Sequence, residues 1–330
     1  MPEKIGERVN RAIGEKVFPG CVIGIIKNDE RTIFPFGAFT YESKTRVSTD
    51  TMYDVASITK SIPTASLALL LIEEGSLRLS DPVAQHLPEL RNHHDATIED
   101  LLRYRVTGVQ MSGLKGLKPR TLEAHIMEHG FAAPPGESSY TNLPAFLLGL
   151  IIERASSETL DTLADARFFR PLGMSRTTFF AKFFSRDEIA PTEVEEWRGL
   201  LQGTVHDESA YVFSVEGERA VGHAGLFSTA HDLLQFADAL LSGRYPAIVA
   251  GAQIGLGWQL HEEYFMGAHC GQKTFGKTGF TGTSIVLDAA RGIALVILSN
   301  RTYPERPLDA FSRSSAINAV RRDVADIVFE

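Results

Sequence analysis

Cysteine is nearly absent from this 330-residue chain: only Cys21 and Cys270 occur. No C-x-x-C is present, so a thiol-based zinc site or a redox pair has no support. A single Cys21–Cys270 bridge is conceivable. Without an export signal the simpler reading is two buried thiols. Nor is there an H-E-x-x-H of the kind zinc hydrolases use. Long apolar runs are missing too. The longest, Leu67–Ile72 and Leu143–Ile152, are too short to cross a bilayer. The first twenty residues, MPEKIGERVNRAIGEKVFPG, lack an apolar core and a small-residue cleavage site, which argues against a signal peptide. These absences together predict a cytoplasmic chain. Basic excess is also lacking: 33 Lys and Arg against 41 Asp and Glu leave a net charge of −8, which disfavours nucleic acid or anionic lipid as a partner. We find no repeat, low-complexity tract or poly-charge tail.

What is present is globular. Hydrophobic residues make up 44% and charged residues 22%, and a chain of this length buries roughly 75% of its unfolded surface. Residues 3–17 place Ile5, Val9, Ile13 and Val17 on one helical face. Cys21–Lys27 and Thr32–Phe39 read as a hairpin turning at Asn28–Glu30. Ser57–Glu74, rich in Ala and Leu and stopped by Gly75, reads as one helix. Thr97–Tyr104, Thr121–His129, Leu143–Ser156 and Leu160–Phe169 also read as helices. Asp187–Trp197 is acidic and reads as a solvated loop, or a lid over a cleft. Ser228 is placed to cap a helix carrying Leu233, Leu234, Phe236, Ala237, Leu240 and Leu241. Strands follow at Gly257–Glu262, Gln272–Thr278, Thr283–Asp288 and Ile293–Asn300, with Arg291-Gly292 in a turn. Residues 308–328 close the chain as a helix. This order predicts an α/β (α+β) fold. Residues 1–80 and 215–330 form an antiparallel sheet flanked by helices, and residues 81–214 are an inserted, mainly helical domain with the active site in the cleft between them.

Three short motifs carry chemistry: Ser57-Ile58-Thr59-Lys60, Tyr140-Thr141-Asn142 and Lys277-Thr278-Gly279. S-x-x-K arises by chance roughly once in such a chain. A second copy, Ser112–Lys115, sits in a Gly- and Lys-rich stretch and is set aside. K-T-G is rarer, with roughly 0.1 expected by chance. All three in this order make a strong signal. Ser57 and Lys60, at i and i+3, share a helix face. A serine hydroxyl needs a base, and a lysine serves only if burial or a neighbouring cation lowers its pKa. Lys277 is the candidate cation. Tyr140 is a candidate proton relay with a lowered phenol pKa. Asn142 can hold a substrate amide, or cap the helix that follows it. The backbone N–H groups of Ser57 and Phe280 are candidate oxyanion donors. Gly279 lets a substrate backbone lie close to its strand.

His206-Asp207 and His223 invite a metal or Ser-His-Asp reading; structural histidines beside the cleft are the simpler one. His93-His94 lies in a polar loop. Trp258 is either a wall of the acyl pocket or core.

The motifs resemble those of the serine β-lactamase and penicillin-binding-protein superfamily, nearest its class C-like branch of β-lactamases, esterases and D-amino-acid peptidases. Longer phrases are similar too, among them MYDVASITKSIPTASLALLLIEEGSLRLSDPVAQHLPEL, APPGESSYTNLPAFLLGLIIERAS and GHAGLFSTAHDLLQFADALL. A family phrase, histidine-threonine-serine-glycine, is replaced here by Tyr104-Arg105-Val106-Thr107-Gly108. The resemblance implies Ser57 as acylated nucleophile, Lys60 as base and Tyr140 as proton relay. It implies Asn142 as substrate holder, Lys277 and Thr278 as carboxylate binders or electrostatic tuners, and Ser57 with Phe280 as oxyanion hole. It implies no metal or organic cofactor. The expected partner is a small ester, amide or β-lactam. Carboxylesterase action comes first, because the chain reads as cytoplasmic. β-Lactamase or D-alanyl peptidase action comes second, because of Lys277. Acyl transfer and a non-catalytic scaffold remain as further alternatives. Oligomeric state is left open.

Overall fold

The computed structural model describes residues 1–114 and 116–330, the side chain of Glu216 excepted. The discarded S-x-x-K copy ends on Lys115 and so falls outside the described residues.

Ten strands are described: β1 (Gly20–Lys27), β2 (Glu30–Gly37), β3 (Tyr53–Asp54), β4 (Glu193–Glu195), β5 (Gly199–Leu201), β6 (Phe227–Ser228), β7 (Gln259–Leu260), β8 (Phe275–Thr278), β9 (Ser284–Asp288) and β10 (Ile293–Ser299). Six of them form one antiparallel sheet in the order β2-β1-β10-β9-β8-β7. β1 and β10 thereby join the two ends of the chain at the centre of the sheet, with Cys21 opposite Ser299 and Ile26 opposite Ala294. Their side chains alternate with period 2. Val22, Ile26, Ala294, Val296 and Leu298 face the large core under the helix Ala230–Leu241. Ile23, Ile25, Ile293, Leu295 and Ile297 face the helices Pro2–Gly14 and Ala316–Phe329 through Ile5, Val9, Val320 and Val324. Both faces are covered, so these strands are apolar throughout. The α/β expectation, with an antiparallel sheet flanked by helices and built from both termini, is met.

Several local readings change. The closing helix, expected over residues 308–328, runs Ala316–Phe329, with turns in the residues ahead of it. The stretch after Ala56 is not one helix. Ala56–Lys60 is a 3₁₀ turn, Ile62 is extended (φ −120°, ψ 109°), and the α-helix begins at Ser66. Pro63 explains the break, because it drives its predecessor out of the helical region. The acidic stretch near 187–197 is not simply a solvated loop. It contains β4, paired with β5, and its carboxylates meet arginines: Glu195 with Arg198, and Glu193 with Arg306. The helix after β6 is capped by Thr229, which accepts from the Asp232 N–H, while Ser228 lies in β6. Asn142 stands before the helix Leu143–Ser156, but its side chain does not cap it. Cys21 and Cys270 are free and buried, and burial raises both thiol pKa values.

Among the described residues, no helix is long and apolar enough to cross a membrane.

Candidate active site

The chain around Ser57 is held from both sides. Asp54 accepts the Ala56 N–H at 2.8 Å, and Ala56 adopts φ +49°, a conformation unusual for a residue with a Cβ. The turn after β8 is tied to the same segment. Thr281 donates to the Asp54 carbonyl at 2.7 Å and Thr283 to the Val55 carbonyl at 2.9 Å. A Cβ on Gly279 would lie 2.4 Å from the Val55 carbonyl oxygen and 2.0 Å from Thr283 Oγ1. Glycine is therefore demanded here by the chain's own backbone, not only by an approaching substrate. The contact brings the Gly279–Phe280 peptide up to the Ser57 turn.

Lys60 is 1% exposed. Its Nζ donates to Ser57 Oγ at 2.9 Å and to the His223 carbonyl at 2.6 Å. Burial pushes its pKa down to about 8, against the pull of Asp207, which favours the charged form. The cause is burial and not the second cation. Of the two lysines it is Lys277, equally buried, that lies well below the usual range, through burial and then through the charge of Lys60.

Tyr140 packs against both lysines. Lys277 Nζ lies 4.7 Å and Lys60 Nζ 5.5 Å from its ring centroid. Tyr104 packs beside it at 5.3 Å, and Lys277 lies 4.8 Å from the Tyr104 ring. Taken as a whole residue, Tyr140 is 56% exposed. Its phenol pKa is raised rather than lowered, chiefly by desolvation, with a Ser57 hydrogen bond pulling the other way. Tyr140 therefore stands protonated at neutral pH, able to donate, and is not the resting base.

Asn142 donates to Asp207 Oδ2 at 2.9 Å. Asp207 Oδ1 accepts from Ser209 Oγ (2.7 Å) and the Ala210 N–H (2.9 Å), and lies 3.3 Å from His223 Nε2. Burial opposes ionisation of Asp207, yet His223 and Lys60 hold its carboxyl well below the usual range. This carboxylate, half-buried and electrostatically coupled to Lys60, was read from sequence only as part of a histidine-rich neighbourhood. Nothing local in the sequence ties it to Asn142.

Thr278 hydrogen-bonds to Gln259 Oε1 through its N–H (3.3 Å) and hydroxyl (3.4 Å). Phe280 packs on His206 (5.6 Å) and Phe311 (5.1 Å). His206 is structural, bonded to Glu193 at 2.6 Å and through its N–H to Asp54. Trp258 is buried edge-on against Phe275, in the core. Among the described residues, no group of three or more His, Cys, Asp or Glu is arranged to hold a metal ion.

The structure thus gathers Ser57, Lys60, Tyr140, Asn142, Lys277, Thr278, Gly279 and Phe280 in one neighbourhood. A serine bonded to a buried, easily deprotonated lysine is chemically equipped for nucleophilic attack. Comparison with known proteins agrees that this is a serine hydrolase. Residues 7–316 match the Beta-lactamase family, and the chain belongs to it. A putative D-alanyl-D-alanine carboxypeptidase of Escherichia coli K12 is 28% identical over 92% of this chain and 85% of its own length. Among solved structures, EstCE1, a hydrolase with promiscuous acyltransferase activity, superposes with a TM-score of 0.75 at 19% identity, covering 98% of each chain. A β-lactamase/D-alanine carboxypeptidase from Pseudomonas syringae gives 0.74 at 18% identity, over 97% of this chain and 96% of that one. At these identities the structural likeness speaks for the fold.

Proposed function

We propose that the chain hydrolyses small esters or amides through an acyl-enzyme on Ser57. The observation that carries this reading is the 2.9 Å contact between Ser57 Oγ and a Lys60 Nζ whose pKa is pushed down to about 8. Neutral Lys60 takes the Ser57 proton as Oγ attacks the substrate carbonyl. The N–H groups of Ser57 and Phe280 receive the developing oxyanion. Protonated Tyr140 donates to the leaving alcohol or amine and regains its proton from Lys60. A water molecule, deprotonated by the same pair, then cleaves the acyl-Ser57 ester and releases the acid. Asn142, oriented by Asp207, holds the acyl side of the substrate. This reading puts the cleft between β8, next to the short edge strand β7, and the helical block of residues 81–214.

Carboxylesterase-type action is the first reading, because the Ser57–Lys60 pair can act on an ester that carries no carboxylate, and burial with the neighbouring Lys60 charge lowers the Lys277 pKa, which weakens Lys277 as a carboxylate binder. D-alanyl carboxypeptidase action is the second, favoured by the names of the curated relatives and by the Lys277-Thr278 pair. Turnover of p-nitrophenyl esters, a β-lactam and an acyl-D-alanyl-D-alanine peptide separates them. The first reading predicts ester turnover that survives Lys277→Ala. Turnover of the peptide, lost selectively in Lys277→Ala while esters are spared, replaces the first reading by the second. Equal losses on both substrates remove the carboxylate role of Lys277.

A further inference from the structure

Two guanidinium groups lie beneath the turn that follows β8, and among the described residues neither has a carboxylate hydrogen-bonded to it. Arg321, on the closing helix, is 3% exposed. Its Nη2 donates to the Gly279 carbonyl at 2.9 Å and the Thr283 carbonyl at 2.6 Å. Its Nη1 donates to Asn318 Oδ1 at 2.7 Å, and its Nε has no partner among the described residues. Arg301 donates to the Phe280 carbonyl at 2.8 Å and to the Ala310 carbonyl at 2.8 Å. Its Nη1 is likewise buried without a partner. Burying a charge without a bonded counter-charge is costly, and the cost shows in the depressed pKa of each group: about 9 for Arg321, where burial is joined by the charge of Arg301, and about 10 for Arg301, where Asp309 offsets part of the burial. Even so, both stay protonated at neutral pH. A neutral side chain could staple the closing helix to this turn without that penalty, so the charge itself calls for a reason.

The position of the acceptor supplies one. The Gly279 carbonyl and the Phe280 N–H are the two ends of one conjugated peptide unit. A cationic donor on the oxygen draws electron density through the amide and makes the N–H at the other end a stronger donor. The same oxygen also accepts the Gly282 N–H at 3.2 Å, so it is bonded from two sides.

We propose that Arg321 is a positioning residue for the acyl-transfer step: it polarises the Gly279–Phe280 peptide and so strengthens the Phe280 N–H toward the oxyanion that forms on the substrate. This rests on the reading of Phe280 N–H as an oxyanion donor. Arg321 touches no substrate; its effect falls on the transition state and not on ground-state binding.

The test is the kinetics of inactivation by an alkyl fluorophosphonate, whose phosphoryl oxygen occupies the same hole, in the parent chain, Arg321→Lys, Arg321→Gln and Arg321→Met. Removing an oxyanion donor outright costs 10²–10³-fold, so weakening one is expected to cost about tenfold. Arg321→Gln and Arg321→Met should lower the limiting inactivation rate by about that factor. Half-saturation and the pH midpoint set by Lys60 should not move. Arg321→Lys, which keeps the charge, should retain most of the rate. A Gln variant as fast as the parent overturns the proposal. So does a Lys variant as slow as Gln, or a loss that appears in half-saturation and the pH midpoint instead of in the limiting rate. Should the Met variant fail to fold, the Lys–Gln comparison still decides. A parent chain that is never labelled removes the Ser57 reading itself, and this proposal with it. A labelled parent with unaffected variants removes only the role of Arg321.

Discussion

The depressed pKa of Lys60 ties acylation to pH in a way that can be worked through. Only the neutral amine accepts the Ser57 proton, and burial brings its midpoint to about 8. A group with that midpoint is roughly 1% neutral near pH 6, roughly 10% near pH 7 and roughly 90% near pH 9. On a neutral ester kcat/KM should therefore rise about tenfold per pH unit up to about pH 8 and level off above it. Tyr140 does not disturb this window, because its phenol titrates above its ordinary value. Lys60→Arg keeps a cation but cannot release a proton, so it should lose roughly 10²–10⁴-fold together with the pH dependence. Initial rates of p-nitrophenyl acetate hydrolysis, corrected at each pH with Ser57→Ala, give the profile. A flat profile from about pH 6 to about pH 9, or a midpoint that persists in Lys60→Arg, would refute the reasoning.

Other perturbations follow from the same contacts. Lys60→Met removes a buried charge whose pKa, pushed down by burial to about 8, corresponds to a cost of about 3 kcal/mol. The native pKa is depressed, so that cost is fully present below about pH 8 and fades as pH rises toward the ordinary lysine value. After losing the donor to the His223 carbonyl, the variant should still gain about 1–2 kcal/mol near pH 7 by urea unfolding while losing activity; a destabilised variant contradicts the burial argument. Asp207→Asn removes the carboxylate that favours charged Lys60, so the activity midpoint should fall below about 8. A midpoint that rises or stays would show that Asp207 does not act on Lys60. Gly279→Ala places a Cβ 2.4 Å from the Val55 carbonyl oxygen. It should cost about 1–3 kcal/mol in thermal unfolding and most of the activity, and an unaffected variant would mean that this turn is not held against Ser57.

How far the sequence was legible depended on how local the signal was. The strands Cys21–Lys27 and Ile293–Asn300 were readable because short apolar runs between turns leave few alternatives, and β1 and β10 match them within a residue. Helix Leu143–Ser156 was readable to its ends. Ser57–Glu74 was misread as one helix because its Ala and Leu content outweighed the single Pro63 that breaks it. The hairpin β4–β5 was missed because three-residue strands carry almost no period, and because acidity reads as solvation until Arg198 and Arg306 are seen against it. In the site, the motifs marked Ser57, Lys60, Tyr140, Asn142 and Lys277 because chemistry restricts their identity and spacing. The Asp207 and Arg321 contacts were not legible. Each residue bonds across a long separation, 65 residues from Asn142 and 42 from Gly279, and belongs to no short motif. The direction of the Tyr140 shift was misjudged because nearby lysines suggested stabilisation of a phenolate, whereas desolvation dominates.

The central claim is that Ser57 is the nucleophile. Its most direct test is the intact mass of the chain after incubation with a fluorophosphonate, with Ser57→Ala alongside. The account predicts a single adduct on the parent chain, located on the peptide carrying Ser57 and absent from the mutant. A parent chain that remains unmodified while folded, or an adduct that persists in Ser57→Ala, would contradict it.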